Sequence, residues 1–285
     1  MFENPLDIVN KEEIKKTFSA FETLVDADVL VYRGEFGVGI DKPIKGLIED
    51  LSLDKPHERL VILLTTNGGA LEPVIRIVNT IRHFYSKVDF YIPDYAYSAG
   101  TIFCCSGDRI FMDYNSVLGP IDPQVQTKDN KWVAALGYLD KIKELIDKSK
   151  NGSLTQAEFL ILKDFDLAEL RHYEQERDLT IDLLEKWLPK YKFASWTTHK
   201  NGNIVTPEEK IKRANEIATA LSNNNIWKSH GRPINREELR ELKLKIDACE
   251  DQPEIYQAMK KYHELMEDYV RKYNLSTFAQ TRRFV

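Results

Sequence analysis

Val61-Ile62-Leu63-Leu64 runs into Thr65-Thr66-Asn67-Gly68-Gly69, and a second apolar run, residues 88–92, leads to Tyr97-Ser98-Ala99-Gly100. Each run reads as a buried strand, and a helical pattern follows each. A strand that ends in a tight Gly-Gly turn leaves backbone N–H groups pointing into open space. A serine among small residues at a second strand-to-helix elbow can present its hydroxyl to that same space. This is the layout of a nucleophile facing an oxyanion hole. The alternative is two ordinary turns between strand and helix, where Gly and Ser are common in any case.

Working outward, residues 9–24 carry Ile14, Phe18, Phe21 and Leu24 at helical spacing. Strands are expected at 28–32, 59–65, 88–92 and 109–112, and helices at 44–51, 71–85 and 101–106. Strands alternating with helices imply parallel pairing through right-handed crossovers. Continuous apolar strands of this kind belong in a sheet covered on both faces.

After Pro123 the pattern changes. Residues 126–131 are polar and read as a loop, and from Leu136 the chain is helical and rich in charge. Residues 165–187 form one long predicted helix, ended by Pro189. Thr206-Pro207-Glu208-Glu209 combines a cap, a first-position proline and a capping box, and opens a helix to about Leu221. A short helix from Asn235, a short strand at 244–247 and a last helix over 253–272 complete the chain. The expected organisation is a single domain over 1–285, with a core of about 26–125 and a helical extension of about 126–285. A separate helical subdomain over 126–200 is the alternative.

Composition narrows the function classes. The chain has 285 residues, 42% hydrophobic and 30% charged, with a net charge of −5. That is the profile of a globular protein, and the charge balance speaks against nucleic acid or an anionic membrane as partner. No segment reaches the roughly 18 apolar residues that span a membrane. The start, Met1-Phe2-Glu3-Asn4-Pro5, lacks a basic region followed by an apolar run, so no secretion signal is expected. The three cysteines, Cys104, Cys105 and Cys249, show neither a CxxC pair nor a Cys/His cluster at metal spacing. No metal and no other cofactor is expected, and the chain reads as a reduced, cytoplasmic protein.

Residues 64–125 resemble the Clp-protease/crotonase superfamily, and within it the serine peptidases of the Clp proteolytic subunit and signal-peptide-peptidase-A type. Leu118-Gly119-Pro120-Ile121-Asp122-Pro123-Gln124 and Trp227-Lys228-Ser229-His230-Gly231-Arg232-Pro233-Ile234 are similar to the serine dehydrogenase proteinases. The match weakens towards Ile246. The resemblance implies an α/β fold, a ClpP/crotonase-like spiral of ββα units with a helical C-terminal half. It implies a nucleophile at Ser98, an oxyanion hole from the backbone of Gly69 and Ala99 beside Gly68, and assembly into a homo-oligomer. It implies a polypeptide substrate cleaved by a serine endopeptidase of Ser/Lys or Ser/His type.

The base stays open. Where the Clp subunit has its catalytic histidine, this chain reads Gly119-Pro120-Ile121-Asp122-Pro123. Of the six histidines, His230 lies in an irregular loop between helices, the place where site residues are commonly found. It is a candidate general base. Lys141, beside Tyr138, Leu139 and Ile142, is the lysine candidate, ahead of Lys143; burial would have to desolvate it. Asp122 can orient a base or cap a turn, and Arg232 can hold a carboxylate. Two other functions fit the fold: a crotonase-type enzyme acting on acyl-coenzyme A, and an oligomeric scaffold without catalysis.

Overall fold

The structure, a computed structural model, describes residues 5–53, 57–126, 132–163 and 166–283. In chain order it runs α1 (Pro5–Val25), β1 (Asp28–Arg33), α2 (Asp41–Ser52), β2 (Arg59–Thr65), α3 (Leu71–Phe84), β3 (Lys87–Ile92), β4 (Tyr95–Ala96), α4 (Ala99–Cys104), β5 (Arg109–Met112) and β6 (Val117–Leu118). A hairpin of β7 (Gln124–Gln126) and β8 (Trp132–Ala134) leads into α5 (Ala135–Lys150), α6 (Gln156–Lys163) and α7 (Leu167–Lys190). The remainder is α8 (Pro207–Ser222), α9 (Asn224–Trp227), α10 (Arg236–Glu241), β9 (Asp247–Ala248), α11 (Pro253–Tyr273) and β10 (Phe278–Gln280).

The main sheet has the order β10-β1-β2-β3-β5-β9. All its pairs are parallel except β10, which lies antiparallel on β1. Strand residues alternate between two buried layers, because successive side chains point to opposite faces. Leu30, Ile62, Leu64, Phe90 and Ile110 face a layer built by α2, α3, α4, α7 and α8. Val29, Val31, Val61, Leu63, Tyr91 and Phe111 face α1 and α11, which contribute Phe18, Phe21, Met259 and Tyr262. The expected sheet with two covered faces and the helical C-terminal half are both present.

Several elements differ from expectation. The pairs β4–β6 and β7–β8 and the terminal strand β10 have too few residues to show a period. Residues 127–131 of the expected loop lie outside the described residues, and Gln126 pairs with Trp132 in the hairpin. Phe165 also lies outside them, and α7 continues one residue beyond Pro189. A proline there removes a single hydrogen bond in the last turn, which Tyr191 N–H to Trp187 O (2.9 Å) still closes. The helix after Ser98 spans 99–104 rather than 101–106. At 244–247 only Asp247 is in a strand, aligned with Phe111 of β5.

Candidate active site

The carboxyl ends of β2 and β3 feed two turns that meet. Thr66 N–H donates to Tyr95 O (3.1 Å) and Tyr97 N–H donates to Thr66 O (2.9 Å), so the two segments after the strands run side by side. Ser98 then adopts φ 52° and ψ −120°, a conformation sparsely populated by any residue but glycine. Such strain costs on the order of 1–3 kcal/mol and persists only where the surroundings over-determine it. Here they do. Gly100 N–H closes the turn on Tyr97 O (2.8 Å), and Ile102 N–H reaches Ser98 O (3.2 Å). Thr101 Oγ1 lies 2.9 Å from the carbonyls of both Ala96 and Gly119. The result is a sharp strand-to-helix elbow with a partly exposed serine at its apex.

Gly68 faces this elbow, and it and Gly69 have φ of 105° and 129°. A Cβ on Gly68 would lie 2.7 Å from Ser98 Cβ and 3.2 Å from Ala99 N. A Cβ on Gly69 would lie 2.7 Å from Phe36 O. Phe36 N–H donates to Gly68 O (2.7 Å) and Ala70 N–H donates to Phe36 O (2.9 Å), which locks the Gly-Gly turn against the 34–39 loop. The two glycine amides then differ. Gly68 N–H donates to Thr66 Oγ1 (3.0 Å). Gly69 N–H and Ala99 N–H meet no protein acceptor among the described residues, and α3 begins two positions after Gly69. Two unclaimed amides and a helix N-terminus favour negative charge. Sequence reasoning could not separate the two amides, because the Thr66 hydroxyl that takes one of them is equally able to face solvent.

His230 and Asp122 come together from distant segments. His230 Nδ1 is 2.9 Å from Asp122 Oδ1, and Asp122 is 1% exposed. Gln124 Nε2 donates to the other carboxylate oxygen (2.9 Å). The strip that carries Asp122 begins at the elbow. Gly119 packs on the Tyr97 ring, Gly119 N–H bonds to Thr101 Oγ1 (3.0 Å), and Leu118 exchanges backbone hydrogen bonds with Ile234, just past His230. With Asp122 on Nδ1, the Nε2 atom of His230 is left for another partner.

The desolvation that a base at Lys141 would require is not found. Its side chain is 51% exposed and its ammonium pairs with Glu144 at 2.9 Å, because its side of α5 faces water. Lys143 is exposed too. Arg232 pairs with Glu238 (3.0 Å). Cys104, Cys105 and Cys249 are unpaired and buried, and burial pushes the Cys105 thiol up to about 12. Among the described residues no group of three or more His, Cys, Asp or Glu could hold a metal ion, and no helix is long and apolar enough to cross a membrane.

Comparison with known proteins gives the family of the chain. An uncharacterized protein of Methanocaldococcus jannaschii, MJ0137, is 27% identical over 212 residues, which cover 74% of this chain and 60% of that protein. A second from the same organism, MJ1495, is 24% identical over 221 residues, covering 78% and 58% respectively. The chain thus spans about 60% of the length of the curated relatives it matches. Among solved structures, a mutant of the 1510-N membrane-bound stomatin-specific protease aligns at 13% identity with a TM-score of 0.48, over 81% of this chain and 82% of that one. Residues 46–195, from α2 through the elbow to the end of α7, match the family described as ClpP-like SDH-type serine proteinase, and the chain belongs to that family.

Proposed function

We propose that this chain is a serine endopeptidase that cleaves polypeptides through an acyl-enzyme on Ser98. The observation that carries the reading is the backbone of Ser98, held at φ 52° and ψ −120° against the Gly68-Gly69 turn. A strained nucleophile elbow exposes the hydroxyl above the sheet while the next amide turns towards the same space.

In the proposed reaction Ser98 Oγ attacks the scissile carbonyl, and the negative charge that forms on its oxygen is met by the amides of Gly69 and Ala99. Each such donor is worth about 3 kcal/mol in the transition state. Gly68 serves by lacking a side chain. His230 Nε2 takes the serine proton and delivers it to the leaving amine, and Asp122 fixes the imidazole through Nδ1. Water then attacks the ester with His230 again as base, which releases the new carboxylate and restores Ser98. His230 is preferred to Lys141 because a base must be oriented and Lys141 is solvated and ion-paired. The three unpaired thiols agree with a cytoplasmic setting.

The test is covalent. A fluorophosphonate incubated with the protein should add one label, which mass spectrometry maps to Ser98 and which Ser98→Ala abolishes. A correctly folded protein that takes no label would transfer the fold to thioester binding or to a scaffold role.

A further inference from the structure

A cavity of about 480 Å³ opens beside the elbow, at the carboxyl ends of β1 and β2. Thr66 and Tyr95, which form the backbone hydrogen bond leading into the elbow, belong to its wall, as does Asn67, next to Gly68. The 34–39 loop and Thr277 close the other side. The cavity therefore shares its wall with the turns that carry Ser98 and Gly69.

Its charges are unequal. Arg33 is the cation of the lining, and it is engaged: Nε is 3.4 Å from Glu267 and Nη1 donates to Leu275 O (3.4 Å). Glu35 is exposed at the rim, and among the described residues its carboxylate has no ion-pair partner. The Tyr95 hydroxyl is held protonated first by burial; Arg33 opposes this, and Asp94, Glu267 and Glu35 reinforce it. With Arg33 matched by Glu267, the charge left in the lining is the carboxylate of Glu35, which gives the cavity a negative field. Tyr95 is the aromatic residue of the lining, and its ring is supported from behind by that of Tyr97, 5.5 Å away. A long cationic side chain suits such a cavity: its stem would lie along the Tyr95 ring and its head would reach the unmatched carboxylate. An acidic side chain would have to displace Glu267 from Arg33.

We propose that this cavity is a substrate subsite selecting lysine or arginine, with Glu35 as its anion. The proposal rests on the peptidase reading, and two measurements separate them. The Ser98→Ala protein is titrated with dye-labelled alanine hexapeptides that carry lysine, norleucine or glutamate at one scanned position. At one position lysine should bind about threefold more tightly than norleucine, as expected for a charge pair at an exposed rim. Glu35→Gln should remove that preference and Glu35→Lys should turn it towards glutamate. Overturning results are equal binding of lysine and norleucine at every position, a preference that survives Glu35→Gln, or no peptide binding. Fluorophosphonate labelling of the wild-type chain is read in parallel. Labelling without a lysine preference removes the subsite alone, and a lysine preference without labelling removes the peptidase reading alone.

Discussion

Ser98 and the glycine pair of the facing turn show how little side chain the site can tolerate. Gly68→Ala would set a methyl 2.7 Å from Ser98 Cβ and 2.8 Å from Tyr97 O, at a φ of 105°. We expect labelling of Ser98 to fall by about 100-fold, since displacement of a reacting group by about 1 Å has that effect. Gly69→Ala meets backbone instead, Phe36 N, C and O at 2.7–2.9 Å, so it should chiefly lower stability, by on the order of 2 kcal/mol or more in urea unfolding. Unchanged melts for Gly69→Ala would contradict the packing described. The glycine pair and the serine were legible in the sequence because positive φ and small size leave a residue-type signature. The pairings were not, although His230 and Asp122 each stand out as candidates. Phe36 reaches the turn from a separate loop, and Asp122 reaches His230 across 108 positions, which no local pattern encodes.

At the scale of elements, long apolar strands announced themselves and short ones did not. The runs of β1, β2 and β3 alternate between two cores, so their sequence is mostly apolar, the buried Asp28 and Asp89 aside, and easily read. The pair β4–β6, which joins the elbow to the Asp122 strip, has two residues in each strand and is fixed by tertiary contacts alone. The segment after α7 carries a feature that periodicity hides: Lys192 is 8% exposed, and burial pushes its ammonium down to about 8, partly offset by Asp247. In the unfolded chain a lysine titrates near 10.4. Below pH 8 both states hold the proton and the cost of burial is fully present. Between about 8 and 10.4 the unfolded state holds more protons, so stability from this group rises with pH, by on the order of 3 kcal/mol. Lys192→Met should raise stability at pH 7 and flatten that rise. Parallel stability curves for the two proteins would refute the assignment.

Taken as a whole, the molecule couples its two halves through the cores on both faces of the sheet. Leu183, Leu184 and Trp187 of α7 and Ile217 and Leu221 of α8 share a cluster with the sheet residues beneath the elbow. We propose that 1–285 folds as one domain and assembles as a homo-oligomer, for which mass photometry should report a mass above the 33.1 kDa of one chain; a monomer at micromolar concentration would count against assembly. The helical half does more than cover the sheet, because it carries His230 back to Asp122, on the strip that packs against Tyr97 and Thr101. The central claim is that this long-range pair, and not Lys141, activates the serine. It is tested most directly by the rate at which a fluorophosphonate labels Ser98 in His230→Ala, Asp122→Asn and Lys141→Ala, with folding checked by circular dichroism. The account predicts rates lowered about 10³–10⁴-fold in the first two, as for a triad deprived of its base or its orienting carboxylate, and within about twofold of wild type in the third. Full reactivity in His230→Ala together with loss in Lys141→Ala would contradict it.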